Sequence, residues 1–234
     1  MNDYSHPPVR TVLFDLDGTL VDTAPDMAYA LNRIREEEGQ PHLPYELIRD
    51  QVSNGSAALI RLAFGQGDDD ERHTDLKERF LEIYRSNLNL DSSLFPGMAP
   101  VLAYIEQRDM NWGVVTNKPA WLTDPLMKAL GLEERSISTI SGDTTDQRKP
   151  HPKPLLIACE QAGSSPAECI YVGDALRDIE AGRAAMMRTL VALYGYIDST
   201  QQPHQWGADG MIQDPRELMD WIRHETAGEH PLAR

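Results

Sequence analysis

Apolar residues change their spacing twice along this chain. Near the start, Val12-Leu13-Phe14 form an unbroken run that ends on Asp15. A short β-rich run of this kind predicts a buried strand over 10–15. From 24 to 90 the spacing turns helical. Met27, Leu31 and Ile34 recur on one face of a predicted helix over 24–38, with Asp22 or Thr23 as its N-cap and Gly39-Gln40-Pro41 as its stop. Short helices are expected over 44–52 and 56–64, around Ser53-Asn54-Gly55. A longer amphipathic helix is expected over 71–90, with Leu76, Phe80, Ile83, Tyr84 and Leu88 along one side. After a break at Leu94-Phe95-Pro96-Gly97, apolar runs alternate with helical spacing. This predicts strands at 111–116, 137–141, 168–173, 189–194 and 211–212, and helices at 98–109, 120–130, 152–162, 175–186 and 215–224.

Strands that alternate with helices imply an α/β fold with a doubly wound parallel sheet. The all-helical segment interrupts that rhythm directly after the first strand. The expected division is a core domain of 1–22 and 95–234 and an inserted helical domain of 23–94. With 234 residues, 41% hydrophobic and 25% charged, the chain can bury a full core and has the make-up of a soluble globular protein. No stretch approaches the ~20 apolar residues of a membrane span. The polar start, a loose tail over 1–9, lacks the apolar centre of a signal peptide, so cytoplasm is the expected location. Cys159 and Cys169 sit in no CxxC or Cys/His cluster and read as core filling beside a helix and a strand. The net charge of −15 argues against nucleic acid and anionic membranes as partners. A small-molecule partner is expected instead, and monomer or homodimer both stay open. An anionic ligand would need local positive charge from a metal, a lysine or backbone N–H groups.

The candidate chemistry lies at strand ends, where open α/β sheets bind ligands. The first is Asp15-Leu16-Asp17-Gly18-Thr19. Alternation points Asp15 and Asp17 the same way if the chain stays extended, and Gly18 then lets it turn. Two close carboxylates require a cation between them or a proton on one. That fits a Mg²⁺ site, a nucleophile paired with a general acid, or both; alone it also fits a plain Asp-Gly turn. Thr116-Asn117-Lys118 offers a hydroxyl and an amide as donors to an anion, with Lys118 adding positive field. Arg148-Lys149-Pro150-His151-Pro152-Lys153-Pro154 is basic and stiffened by proline, which can fix one lysine in place. Here His151 reads as spacing, and Arg148 and Lys153 as solvated flanks. In Gly173-Asp174-Ala175-Leu176-Arg177-Asp178, Asp178 can share the face of Asp174. Arg177 fits a salt bridge or a substrate contact. Hard oxygen ligands suit Mg²⁺, and a carboxylate attacking phosphorus would give an aspartyl-phosphate. The run Asp68-Asp69-Asp70-Glu71 reads as a solvated helix start that suits the helix dipole. The loop 195–208, with Trp206, has no role assigned by pattern.

These motifs together resemble the haloacid dehalogenase superfamily phosphatases. The four family motifs match in order as Asp15-Leu16-Asp17-Gly18-Thr19, Thr116-Asn117, Lys149-Pro150, and Gly173-Asp174 with Asp178, across nearly the whole chain. The helical segment resembles the cap domain that the family inserts after its first motif, over a Rossmann-like core. The text from Asp174 to Tyr196 resembles the branch that acts on phosphoglycolate. Trp112 to Pro119 and Trp206-Gly207-Ala208-Asp209 resemble, within it, the group that acts on N-acetylmuramic acid 6-phosphate in cell-wall recycling. The resemblance implies Asp15 as nucleophile and Mg²⁺ ligand. It implies Asp17 as acid and then base, with its backbone carbonyl on the metal. Thr116 and the Asn117 backbone would hold the phosphoryl oxygens, and Lys149 would neutralise charge. Asp174 would ligate Mg²⁺, and Asp178 would support the metal shell or Lys149. Ser53, Asn54 and Gly55, in a loop expected to face the phosphate, are candidates for leaving-group contacts, with Arg61 a weaker one. The expected function is a Mg²⁺-dependent phosphomonoesterase for a small sugar or organic-acid phosphate. The alternatives are a phosphomutase of the same fold, like β-phosphoglucomutase, and a non-catalytic phosphate-binding regulator.

Overall fold

The computed structural model describes residues 7–65 and 71–227. The first six residues of the expected tail, and Asp68, Asp69 and Asp70 of the acidic run, lie outside the described residues. The centre is a six-stranded parallel sheet in the order β5-β4-β1-β6-β7-β8. The strands are β1 (Thr11–Phe14), β4 (Asn111–Val115), β5 (Thr139–Ile140), β6 (Cys169–Gly173), β7 (Arg188–Ala192) and β8 (Gly210–Ile212). Strand β1 lies in the middle and is buried throughout, which is why it is unbroken in apolar character. Phe14 pairs with Val114 on one side and Val172 on the other. The three strands therefore end level, and Asp15, Thr116 and Asp174 leave the sheet at one edge. The strand order reverses at β1, so that edge is a topological switch point.

Helices α5 (Met98–Glu106), α6 (Ala120–Ala129), α7 (Lys153–Gln161), α8 (Leu176–Ala184) and α9 (Leu218–Ala227) alternate with these strands. Between β1 and α5 the chain leaves through β2 (Val21–Asp22) and returns through β3 (Ser93–Leu94), which pair antiparallel. Among the described residues the elements between them are all helical: α1 (Ala24–Glu37), α2 (Tyr45–Arg49), α3 (Gly55–Phe64) and α4 (Glu71–Ser86), with a 3-10 turn over Val52–Asn54. Leu31, Ile34, Ile48, Leu59 and Phe80 are buried within this helical block. Among the described residues no helix is long and apolar enough to cross a membrane.

Several elements end earlier than their spacing predicts, for local reasons. Helix α4 stops at Ser86 rather than 90, because Ser86 Oγ and Asn87 Nδ2 donate to the carbonyls of Glu82 and Ile83 at 3.0 and 2.7 Å. Leu88 is still buried. The expected helix over 44–52 shrinks to α2 and the turn that follows. The expected strand over 137–141 keeps two residues. Thr23 stands at the N-cap of α1, yet its hydroxyl makes no cap bond and donates to Asp17 Oδ1 at 2.6 Å. Cys159 and Cys169 are buried between α7 and β6, their sulfurs 3.1 Å apart.

One buried carboxylate ties the helical block to its return path. Asp26, on the first turn of α1, accepts from Asp91 N, Ser92 N and Ser92 Oγ at 2.9, 3.0 and 2.6 Å. Replacing Asp26 by Ala removes these bonds and leaves two buried-side donors unmatched. The expected cost is about 2–4 kcal/mol in urea unfolding, since bonds to a charged group are worth about 1.5–3 kcal/mol each and are not fully additive. A loss under about 0.5 kcal/mol, the usual range for surface substitutions, would show that Asp26 does not hold the linker.

Candidate active site

Asp15 is the first residue beyond β1, and its Oδ1 accepts from the Leu16 N–H at 2.8 Å. Lys149 reaches the same place from the loop before α7. Its Nζ lies 2.9 Å from Asp15 Oδ1 and 2.8 Å from Asp178 Oδ1, and it donates to Val115 O at 2.8 Å and Tyr171 Oη at 2.7 Å. Asn117 fixes the backbone that carries this lysine. Its side-chain oxygen accepts from Lys149 N at 3.1 Å and its Nδ2 donates to Lys149 O at 3.0 Å. The Asn117 amide, read from sequence as a donor to an anion, thus clamps the Lys149 backbone with its oxygen and one of its two N–H groups. Thr116 is buried at the end of β4, and its hydroxyl oxygen accepts from Lys118 N at 3.2 Å.

Asp174 leaves β6 beside Asp15. Its Oδ2 accepts from Ser53 Oγ at 2.7 Å and from Tyr196 N at 2.8 Å. Asp178, in the first turn of α8, accepts from Ala175 N at 3.0 Å. Asp15, Asp174 and Asp178 each offer an oxygen within 4.8 Å of the others, and all three are buried. Gly18 makes room for them: a Cβ there would lie 2.1 Å from Asp174 Oδ2, and its φ of +83° is one that other residues rarely adopt.

Against three buried carboxylates stand the Lys149 ammonium, in direct contact with Asp15 and Asp178, and the Arg177 guanidinium nearby, which leaves an excess of negative charge. Burial, and then the Asp15 and Asp178 carboxylates, push the pKa of Asp174 up to about 7. Burial also raises Asp178, against the pull of Lys149, and lifts the Tyr171 phenol well above its ordinary value. Arg177 is held above its ordinary value by Asp178, Asp15 and Asp174 in spite of its burial. An oxygen-only donor set with surplus negative charge fits a small hard divalent cation.

The Asp17 side chain takes other partners. The chain does not stay extended after Asp15, because Leu20 N and Val21 N fold back onto Leu16 O at 3.1 and 2.9 Å. Asp17 Oδ1 instead meets Lys118 Nζ at 2.9 Å, and Lys118 Nζ also donates to Tyr84 Oη of α4 at 2.8 Å. Burial alone would depress the Lys118 ammonium, but Asp17 and Tyr84 outweigh it and raise its pKa to about 12. The Tyr84 phenol is itself raised to about 12, by burial against the pull of Lys118. Of the loop Ser53-Asn54-Gly55, Ser53 reaches the acidic cluster. Asn54 is exposed and bonds Gln51 Oε1 at 3.0 Å, and Gly55 is exposed at the start of α3. Arg177 donates to Ser53 O at 2.7 Å, a bond across the boundary between sheet and helical block. His151 and Lys153 are solvent-side: His151 Nδ1 accepts from Lys153 N, and Lys153 pairs with exposed Asp146.

Sequence reading missed four residues at this site. Tyr84 has core spacing on a helix, and Tyr171 sits inside an apolar strand, so neither shows its hydroxyl role. Arg49 and Tyr196 lie in segments that pattern leaves without chemistry. The signal for Tyr196 was the Tyr194-Gly195-Tyr196 step directly after a strand.

The profile of the haloacid dehalogenase-like hydrolases matches residues 12–192. An N-acetylmuramic acid 6-phosphate phosphatase from Pseudomonas putida is 44% identical over 220 residues, covering 94% of this chain and 99% of that protein. A phosphoglycolate phosphatase from Xanthomonas campestris is 42% identical over 211 residues, covering 90% of this chain and 95% of that protein. Among solved structures, a predicted phosphoglycolate phosphatase from Haemophilus somnus superposes with a TM-score of 0.80 at 27% identity, covering 91% of this chain and 97% of that one.

The acidic cluster generates a binding prediction that needs no substrate. Mg²⁺ at about 100 times its Kd should stabilise the folded protein by about 2.7 kcal/mol. For a chain of this size that is a rise in Tm of about 5–11 °C. Asp174→Asn and Gly18→Ala should each abolish most of that rise in a thermal melt. An undiminished rise in both variants would place the cation elsewhere.

Proposed function

The chain belongs to the haloacid dehalogenase-like hydrolase family and is a phosphatase of it, and we propose that it hydrolyses a small phosphate monoester through a phospho-aspartate on Asp15. The observation that carries this reading is the fully buried Lys149 ammonium bridging Asp15 and Asp178, with Asp174 alongside, at the switch point of the sheet. Phosphoryl transfer needs positioning and charge neutralisation more than covalent help from the protein, and this cluster supplies both.

In this mechanism an Asp15 carboxylate oxygen attacks phosphorus, and the bond from phosphorus to the leaving alcohol oxygen breaks. Asp17 hands its proton to that oxygen. The alcohol departs, the Asp17 carboxylate takes a proton from water, and the water oxygen attacks the phosphorus. The Asp15–phosphate bond breaks, releasing inorganic phosphate and restoring Asp15. Lys149 balances charge on Asp15 and the phosphoryl group, and Asn117 holds Lys149 in register. The Thr116 hydroxyl and the Asn117 backbone N–H stand at the same edge as donors for phosphoryl oxygens. Asp15, Asp174, the Asp17 backbone carbonyl and the surroundings set by Asp178 would hold Mg²⁺, which when bound offsets charge on the phosphoryl oxygens. Residues 23–94 act as a cap on hinge strands β2 and β3, excluding water when closed. Ser53, Tyr84 and Arg49 are among its contacts with the core, and Ser53-Asn54-Gly55 faces the leaving group.

For the substrate we favour N-acetylmuramic acid 6-phosphate, on the near-complete mutual coverage with the Pseudomonas putida phosphatase and on Trp112 to Pro119 and Trp206 to Asp209. A place in peptidoglycan recycling in the cytoplasm follows from that choice. 2-Phosphoglycolate is the second reading, supported by the Xanthomonas campestris phosphatase.

The test is phosphate release with Mg²⁺ from both compounds and a panel of sugar phosphates. The expected outcome is the highest kcat/KM for N-acetylmuramic acid 6-phosphate, loss of activity in EDTA, and a loss on the order of 10³-fold or more in Asp15→Asn. A higher kcat/KM for 2-phosphoglycolate moves the assignment to the second reading. Isomerisation of a sugar phosphate without phosphate release overturns the hydrolase mechanism, as does full turnover by Asp15→Asn.

A further inference from the structure

The loop after β7 makes contacts that the mechanism above does not use. Tyr196 is buried, and it touches both the acidic cluster and the hinge of the helical block. Its backbone N–H donates to Asp174 Oδ2. At the other end of the side chain, its phenol accepts from Thr23 N at 2.7 Å and Ala24 N at 2.9 Å and donates to Asp22 Oδ1 at 2.6 Å. A helix start needs acceptors for its first N–H groups. Here the acceptor for α1 is a phenol from the sheet domain, while the Thr23 hydroxyl is spent on Asp17. The tyrosine ring also packs against Phe95, just past β3, at 6.0 Å between centroids. Both crossings into the helical block therefore meet at this one residue.

The block grips the same loop from its other side. Arg49 of α2 donates to Tyr194 O at 2.9 Å and Gly195 O at 3.1 Å, and its guanidinium carbon lies 4.9 Å from the centre of the Tyr196 ring. The loop has no slack toward Asp174. A Cβ on Gly195 would sit 2.4 Å from both Asp174 Cβ and Gly18 O. Ser53 of the block shares Asp174 Oδ2 with Tyr196 N. Asp174 Oδ2 is thus held by two donors, one on the block and one on a loop that the block clamps.

We propose that Tyr196 is a positioning residue that couples closure of the helical block to the orientation of Asp174, so that closure and cation binding reinforce each other. The inference rests on the reading of Asp174 as a cation ligand. Swinging the block about β2 and β3 breaks the phenol bonds or drags Tyr196 with it, and removes Arg49 from the loop. Either way the N–H that aims Asp174 loses its anchor. By linkage, a cation that prefers the aimed carboxylate favours the closed block by the same factor.

The test uses Tyr196→Phe and Arg49→Met in the full chain, each shown to be folded by near-ultraviolet circular dichroism. Neither the phenol nor the Arg49 side chain contacts the acidic cluster, so neither change removes a ligand. Mg²⁺ is titrated calorimetrically without substrate, and amide hydrogen exchange is followed at 21–24 and 194–196. Each variant is expected to weaken Mg²⁺ binding by roughly 5-fold or more and to speed exchange in both segments. The double variant is expected to lose less than the product of the two, since both act through one loop. If Tyr196→Phe does not fold, Arg49→Met carries the same expectation. Faster exchange at 21–24 with unchanged Mg²⁺ affinity would make Tyr196 a hinge pin only and overturn the coupling. Unchanged exchange and affinity in both variants would overturn it as well. A wild-type protein that binds no Mg²⁺ overturns the cation reading itself, and the inference falls with it.

Discussion

The fold depends on how it keeps a buried ammonium among buried carboxylates. Lys149 is 2% exposed, and Asp15, Asp174 and Asp178 are 3%, 1% and 0% exposed. Ions taken out of water cost several kcal/mol each unless their partners and hydrogen bonds are well placed. Lys149 meets that demand with two carboxylates, a phenol and a carbonyl, all between 2.7 and 2.9 Å. Such geometry cannot come from a flexible side chain alone. It requires the level ends of β1, β4 and β6, and an Asn117 side chain that holds both polar groups of the Lys149 backbone. Gly18 and Gly173 are needed for the same reason, because a Cβ at either would enter the space of Asp174 or Asp178. The parallel sheet, the switch point and the glycines serve one packing problem in charge.

A second cation extends the arrangement toward the helical block. Lys118 is joined to Asp17 on the sheet side and to Tyr84 on α4, so the block takes part in the surroundings of Asp17. Arg177 does the same from α8 by donating to Ser53 O. Tyr196 and Arg49 add further contacts at the boundary. None of these contacts is a broad apolar interface. They are polar and directional, and they lie beside one continuous apolar core that includes Phe14 and Val172 of the sheet and Leu31, Leu59 and Phe80 of the block.

Much of this was legible in the sequence, and the reasons differ by residue. Asp15, Asp174 and Asp178 are marked because each carries charge at the end of an apolar run, and burial of charge there needs a purpose. Lys149 is marked by prolines in an otherwise acidic chain. The helical block is visible because its spacing breaks the strand-helix rhythm. What stayed hidden is work done by ordinary-looking residues. Tyr84 and Tyr171 sit at apolar positions, and only the fold shows that a hydroxyl at the far end of each ring meets a lysine. Asn117 has the right type for an anion donor and is used for backbone clamping. Asp15 and Asp17 would point the same way only in an extended chain, and the turn closing on Leu16 O bends it. Spacing fixes which face a residue shares only while the chain stays regular, and the first turn after a strand is where regularity ends.

The charge balance bears on how an acidic protein accepts an anion. A net charge of −15 sets a repulsive field at long range, but counter-ions screen exposed charges beyond about 8 Å at physiological salt. Inside the site the screening is weak, and the nearby groups decide. Lys149 and Lys118 are buried within a few ångströms of Asp15 and Asp17, and Arg177 is close enough to be raised by Asp178, Asp15 and Asp174. Both lysines are already engaged by carboxylates in this structure, and Arg177 by the Ser53 carbonyl. An incoming dianion therefore competes for lysines that are tied down, and a divalent cation held by Asp15 and Asp174 would ease that competition by offsetting the carboxylate charge that now holds Lys149. Under the proposed mechanism, such a site would bind cation and anion together better than either alone. That ordering follows from electrostatics and holds whichever alcohol the phosphate is attached to.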